Sequence, residues 1–185
     1  MFARLTANWV YGGALAGGLL LVLAPLVMPG LTAGGRLCYL ALAAYMLHQY
    51  EEHDNDRFRR FVNETVARGR AGLSQADVFA INIPGVWGVI ALALWLAERV
   101  SPGWAMIAAW LILVNALAHL GQAAAMRRPN PGLVTAALLF LPLGAVMVQR
   151  LGAVATLSQQ AVSLALALAI HAAIMVRAMR PKRKV

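Results

Sequence analysis

The sequence predicts an all-α fold, a polytopic membrane helix bundle of about six transmembrane helices. Three observations carry this. The 185 residues are 61% hydrophobic and only 12% charged, with a mean hydropathy of +0.69; soluble domains run at roughly 25% charged and 45–50% apolar. Apolar stretches recur that reach the roughly 20 residues needed to cross a bilayer. Short segments rich in turn formers, "MPGLTAGG", "SPG" and "RRPNPG", separate several of them.

These stretches read as spans at 9–29, 35–53, 76–98, 103–125, 132–150 and 155–177, within a single transmembrane domain over 1–185. The first is expected to be a retained helix: "LTA" before Gly34 is a poor signal-peptidase site and the apolar stretch is long for a leader. Gly12, Gly13, Gly17 and Gly18 on it suit close helix packing. The second span ends in the ionisable run "HQYEEH". A cytoplasmic amphipathic segment is expected near 55–73. There Phe58, Phe61, Val62, Thr65 and Val66 share one helical face, opposite Arg57, Arg60, Glu64 and Arg68. In it, "NET" at Asn63 matches a glycosylation sequon, which a cytoplasmic location makes irrelevant. "SQAD" at Ser74–Asp77 has the form of a capping box opening the third span. Pro25, Pro84 and Pro142 lie inside spans, where a membrane bundle tolerates kinks. Trp9, Trp104 and Tyr39 read as interface anchors, and Glu98 beside Arg99 as an outer-surface ion pair of little energetic worth.

Charge sets the expected orientation. With the N-terminus in the cytoplasm, all but Arg36, Arg99 and Arg150 of the 16 Lys and Arg fall on the cytoplasmic side, including Arg177, Arg180, Lys182, Arg183 and Lys184 at the C-terminal end. This predicts an integral protein of a bacterial cytoplasmic membrane with both termini inside. The net charge of +9 is then explained by loops beside an anionic leaflet. Nucleic acid is not an expected partner, because no free-standing basic patch carries interleaved stacking aromatics. The lone Cys38 excludes an internal disulfide. The oligomeric state is left open.

Under that orientation the histidines gather at one depth. His48 lies nine residues before Arg57, His119 eight before Arg127, and His171 six before Arg177. At ~1.5 Å per residue these offsets are about 13, 12 and 9 Å. Ionisable groups at such depth are costly, so they face the bundle interior and mark function. His48, Glu51 and Glu52 share a helix face by their i, i+3 and i+4 spacing, whereas His53 is turned further round. Imidazole plus carboxylate is a ligand set for a divalent metal, with zinc or iron the expected ions. His48, Glu52 and His119 are the expected ligands, completed by His171 or His53. Glu51 is the expected general base, or a ligand of a second metal in a carboxylate-bridged centre. Asn82 and Asn115, one turn further in, are expected to support the site or bridge helices. Neither H-E-x-x-H nor H-x-x-E-H occurs, and there is no G-x-S-x-G elbow, P-loop or G-x-G-x-x-G.

"HQYEE" at His48–Glu52 resembles the signature of the HXXEE-domain family, small bacterial integral membrane proteins. "FVNETV" at Phe61–Val66, "INIPGVW" at Ile81–Trp87, "NALAHL" and "RRPNPGLVTA" resemble later segments of that family in order. The resemblance implies that the His/Glu motif is the site; it names no reaction.

Two functional readings remain. In the first, the chain is a membrane-embedded metal-dependent enzyme acting near the cytoplasmic face on a lipid or other apolar substrate. Hydrolysis is preferred to redox chemistry. In the second it is a small transporter or binding protein that uses the cluster for protons or cations. The outer halves of the spans carry few polar residues, which favours a one-sided pocket and so the enzyme. A structural or assembly factor is a third possibility.

Overall fold

The computed structural model describes residues 1–181; Lys182, Arg183 and Lys184, expected among the cytoplasmic charges, lie outside the described residues. The described residues form helices joined by short turns, with no strand among them. The first two rods are α1 (Phe2–Val27) and α2 (Ala33–His53). A short α3 (Arg57–Phe61) runs on into a π-helical turn, Val62–Val66. The third rod joins α4 (Gln75–Asn82) through a π-helical turn, Ile83–Trp87, to α5 (Gly88–Arg99). The fourth is α6 (Met106–Met126). The fifth joins α7 (Leu133–Thr135) through Ala136–Phe140 to α8 (Leu141–Gly152), and the sixth is α9 (Leu157–Ala178). Pro84 lies inside one π-helical turn and Pro142 just after another. A proline removes one backbone donor and crowds the preceding turn, and the widened turn relieves both.

Five of the six rods are long and apolar enough to cross a membrane. The exception is α2, for a reason visible in its packing. Its buried residues, from Gly34 to His53, surround the helix axis instead of forming a stripe. It packs against α1, α5 and α6, so it sits inside the bundle and can carry polar side chains no lipid-facing helix would hold. On α1, by contrast, Leu15, Leu19, Val22 and Leu26 are exposed along one stripe. An unbroken apolar surface of this kind is at home against hydrocarbon.

Two clusters hold the rods together. One runs through the middle of the bundle, built on Tyr45, Ile90, Met106, Leu111, Ile112, Phe140 and Met147. The other lies at the basic end, around Trp9, Val10, Val62, Leu73, Val78 and Ala178. This second cluster corrects two expectations. Trp9 is not an interface anchor: its indole is buried, 5.1 Å from the His53 ring and 5.9 Å from the Trp87 ring. The amphipathic helix ends at Val66, short of residue 73, and its apolar face covers the bundle through Phe58, Phe61 and Val62.

The capping box at Ser74 and Asp77 forms as expected. Asn63 closes the preceding loop, donating to the Leu73 carbonyl at 2.9 Å and accepting from its N–H at 2.8 Å. Tyr39 is buried and donates to the Leu20 carbonyl at 2.7 Å. Glu98 does not spend itself on Arg99. It accepts from the N–H of Thr32 at 2.9 Å and from its hydroxyl at 2.7 Å, and Thr32 is the residue that caps α2. Of the glycines on α1, Gly13 and Gly17 allow close approach to Trp87 and to Met46 and Ala43, while Gly12 and Gly18 face open space.

Candidate functional site

The last turns of α2 carry His48, Glu51, Glu52 and His53. A four-residue spacing stacks His48 over Glu52, and their Nε2 and Oε2 atoms lie 3.6 Å apart. From α6, His119 brings Nε2 to 3.4 Å from Glu52 Oε1. His53 Nε2 lies 3.1 Å from Glu52 Oε2. One carboxylate thus faces three imidazoles. The enclosure is tight: relative exposure is 0% for His48, 5% for Glu52 and 8% for His119.

Their hydrogen bonds fix which ring nitrogens carry protons. The Thr135 hydroxyl donates to Glu51 Oε2. Having one hydrogen, it must accept from His48 Nδ1, 2.7 Å away. A neutral His48 therefore presents an Nε2 lone pair to Glu52. His119 is held the same way. Asn130 Nδ2 donates to the His119 carbonyl at 2.8 Å, so its Oδ1 accepts from His119 Nδ1 at 3.0 Å. In a neutral His119 this again leaves Nε2 as a lone pair. Both Nε2 atoms face the Glu52 carboxylate, and that of His48 is buried without a hydrogen-bond partner.

This arrangement suits a cation. One ligand atom from each of His48, Glu52 and His119 lies within 4.8 Å of the others. Ligand atoms at ~2.0–2.1 Å from one tetrahedral ion stand about 3.4 Å apart; His119 Nε2 lies 3.4 Å from Glu52 Oε1, and His48 Nε2 faces the other carboxylate oxygen at 3.6 Å. Among the described residues this trio is the group that could hold a metal; His53 and His171, expected to complete the set, fall outside it. His171 bonds through Nδ1 to the Ala167 carbonyl at 2.8 Å and faces the same cavity as Glu52, His53 and His119, a space of about 160 Å³.

Glu51 does not line that cavity. Its carboxylate accepts from the N–H groups of Val134 and Thr135 at 3.1 and 2.7 Å, and from the Thr135 hydroxyl. It satisfies otherwise orphaned donors at the start of the fifth rod, and it reaches His48 only through Thr135. The expected base is thus occupied as a helix cap. Asn82 accepts from Gln49 Nε2 at 2.7 Å, and Gln49 in turn accepts from the Trp87 indole, so Asn82 braces α2 against the third rod. Asn115 faces the cavity, and its Oδ1 is buried without a partner.

Gly132 was not singled out from the sequence. Its φ is +88°, open to glycine and strained for other residues. A Cβ built on it would stand 2.9 Å from Cε1 of both His48 and His119, and 3.3 Å from Glu52 Cβ. The two rings approach to a centroid distance of 5.1 Å only because this position has no side chain. Phe140 backs the His48 ring at 4.2 Å. The signal for Gly132 and Asn130 lay in "NPG", a turn sequence eleven residues beyond a buried histidine.

A family model described as "Protein of unknown function with HXXEE motif" matches residues 39–147. The matched stretch contains His48, Glu51, Glu52, His119, Asn130, Gly132 and Thr135, and ends before His171. No curated protein and no solved structure matches the chain.

Proposed function

Because the chain belongs to the HXXEE-motif family, we propose that the motif's histidine and second glutamate are metal ligands and that the protein is a membrane-embedded metal-dependent enzyme, a hydrolase of a lipid or other apolar substrate. The observation that carries this reading is the convergence of two Nε2 lone pairs on the Glu52 carboxylate. His48, Glu52 and His119 would hold a divalent ion such as zinc or iron. Bound there, the ion supplies Lewis acidity and lowers the pKa of a water molecule.

The remaining roles belong to the chain's own residues. Thr135 and Glu51 orient His48, and Asn130 orients His119, as outer partners of metal-binding histidines do. His53 lines the cavity with its Nε2 3.1 Å from Glu52 Oε2 and is the side chain placed to exchange a proton with that carboxylate. Beyond the cluster, Tyr45, Phe140, Leu111 and Ile112 fill the bundle. That packing favours a one-sided site over a transport path. We place the basic end in the cytoplasm, following the distribution of arginines.

The test is the metal content of purified protein, by elemental analysis, against His48→Ala and His119→Ala. One equivalent of a transition metal in the parent, lost in both variants while the fold survives by circular dichroism, is the expected result. Equal metal content in all three sinks the proposal.

A further inference from the structure

We infer that the cavity beside Glu52 is a side port for one acyl chain of a membrane lipid, which enters between α6 and α9 with its tail toward the middle of the bundle and its first polar group level with His119. This rests on the reading of the cluster as the reactive site and specifies what reaches it.

The first support is where the cavity opens. Ala118 on α6 and Met175 on α9 line it, and both are exposed on the outer surface of apolar rods. In a bilayer that surface is bathed in hydrocarbon, so the molecules at the mouth are lipid tails. A tail gains or loses little when it exchanges lipid for an apolar protein wall, whereas a polar solute would be stripped of water there.

The second is the order of polarity. Val86, Leu111 and Ile170 line the deep end, Glu52, Asn115 and His119 follow as a polar band, and Phe58, Val62 and Ala178 close the basic end with apolar side chains. Along α6, Leu111 to Gln122 spans about 16 Å at ~1.5 Å per residue. An apolar wall that gives way to a band of polar groups matches a chain whose first polar group lies level with His119.

The third is closure at that end. The tip of α9 is clasped to the first turn of α4 by Arg177 on Asp77 at 2.7 Å, and to the loop before α4 by backbone bonds from Ala71 N to Arg180 O at 2.8 Å and from Gly72 N to Ala178 O at 3.0 Å. The cavity is thus shut at its tip, and it meets the outer surface at the exposed Ala118 and Met175 of its wall. Its volume, about 160 Å³, is close to that of an apolar protein cavity that holds one benzene. It therefore admits a segment of chain, and the rest stays in the bilayer through the side opening.

The experiment uses the full chain in lipid nanodiscs with a diazirine-bearing long-chain fatty acid, crosslinked by light and mapped by mass spectrometry. Label is expected on the cavity faces of α6 and α9 above the level on the lipid-facing stripe of α1. Ala118→Trp and Met175→Trp, which fill the mouth, should each reduce cavity label several-fold and retain metal. His48→Ala should lose metal and retain label, which separates this inference from the metal assignment. Leu117→Trp, on exposed neighbouring surface, should change neither. A long-chain alcohol should compete with the probe, and acetate should not. Label spread evenly over all lipid-facing helices, label insensitive to both tryptophans, or competition by acetate alone would each overturn the port.

Discussion

Glu51 and His48 are bound to the same hydroxyl, that of Thr135. The two adjacent glutamates of the motif thus divide the labour: Glu52 meets the imidazole nitrogens directly, and Glu51 holds the residue that holds His48.

Thr135→Val should therefore weaken zinc binding about 10–100-fold, the usual cost of losing an outer partner of a metal-binding histidine. Thr135→Ser should restore most of it. Glu51→Gln should also weaken binding without removing a metal equivalent. Competition against a chelating dye measures all three, and unchanged affinity in Thr135→Val would show that the hydroxyl does not orient the ring.

Gly132→Ala combines a strained backbone with a methyl group pressed between two imidazoles. It should destabilise the protein by more than about 1 kcal/mol and separate His48 from His119. A lowered thermal midpoint together with lost metal is the expected outcome. A normal midpoint would mean that the turn relaxes freely.

Zinc added to metal-free protein should raise the thermal midpoint, because an ion bound to the folded state alone stabilises it, by about 2.7 kcal/mol at a hundredfold excess over Kd. A chelator should reverse the shift. His119→Ala should show none.

Topology is open to a direct check. In a Cys38→Ala background, Ala33→Cys and Thr65→Cys should react with an impermeant maleimide from opposite sides of the membrane, Thr65→Cys from the cytoplasm. Reaction of both from the same side would sink the six-span topology, and reaction of Thr65→Cys from outside would reverse the assignment of the basic end.

Much of the fold was legible because its signals are local. Apolar length, turn formers and the Ser74 capping box locate helices without reference to partners. The depth of His119 relative to His48 was legible too, since a helix converts residue offsets into distance. Direction around the bundle was not. Trp9 at the start of an apolar run reads as an interface residue, and only the fold against α2 and the third rod buries it on His53 and Trp87. Glu98 next to Arg99 looks like an ion pair until the turn before α2 brings Thr32 to it. Glu51 and Glu52 differ in the sequence by one position, and only the start of the fifth rod tells the cap from the carboxylate that the histidines face. Gly132 matters through the rings it lets approach, which no spacing along the chain encodes.

The polar burden of α2 bears on how the protein enters its membrane. Ionisable side chains add to the cost of inserting a helix, and α2 carries His48, Glu51, Glu52 and His53 in its last turns before the segments that supply His119, Asn130 and Thr135 have been made. Synthesised alone, this helix has little reason to leave the translocon for lipid. Its long contact with α1 makes the first rod its escort, so that the two would partition together as a hairpin. A chain stopped before Gly132 would lack Val134 and Thr135 and so leave the Glu51 carboxylate without the donors it caps.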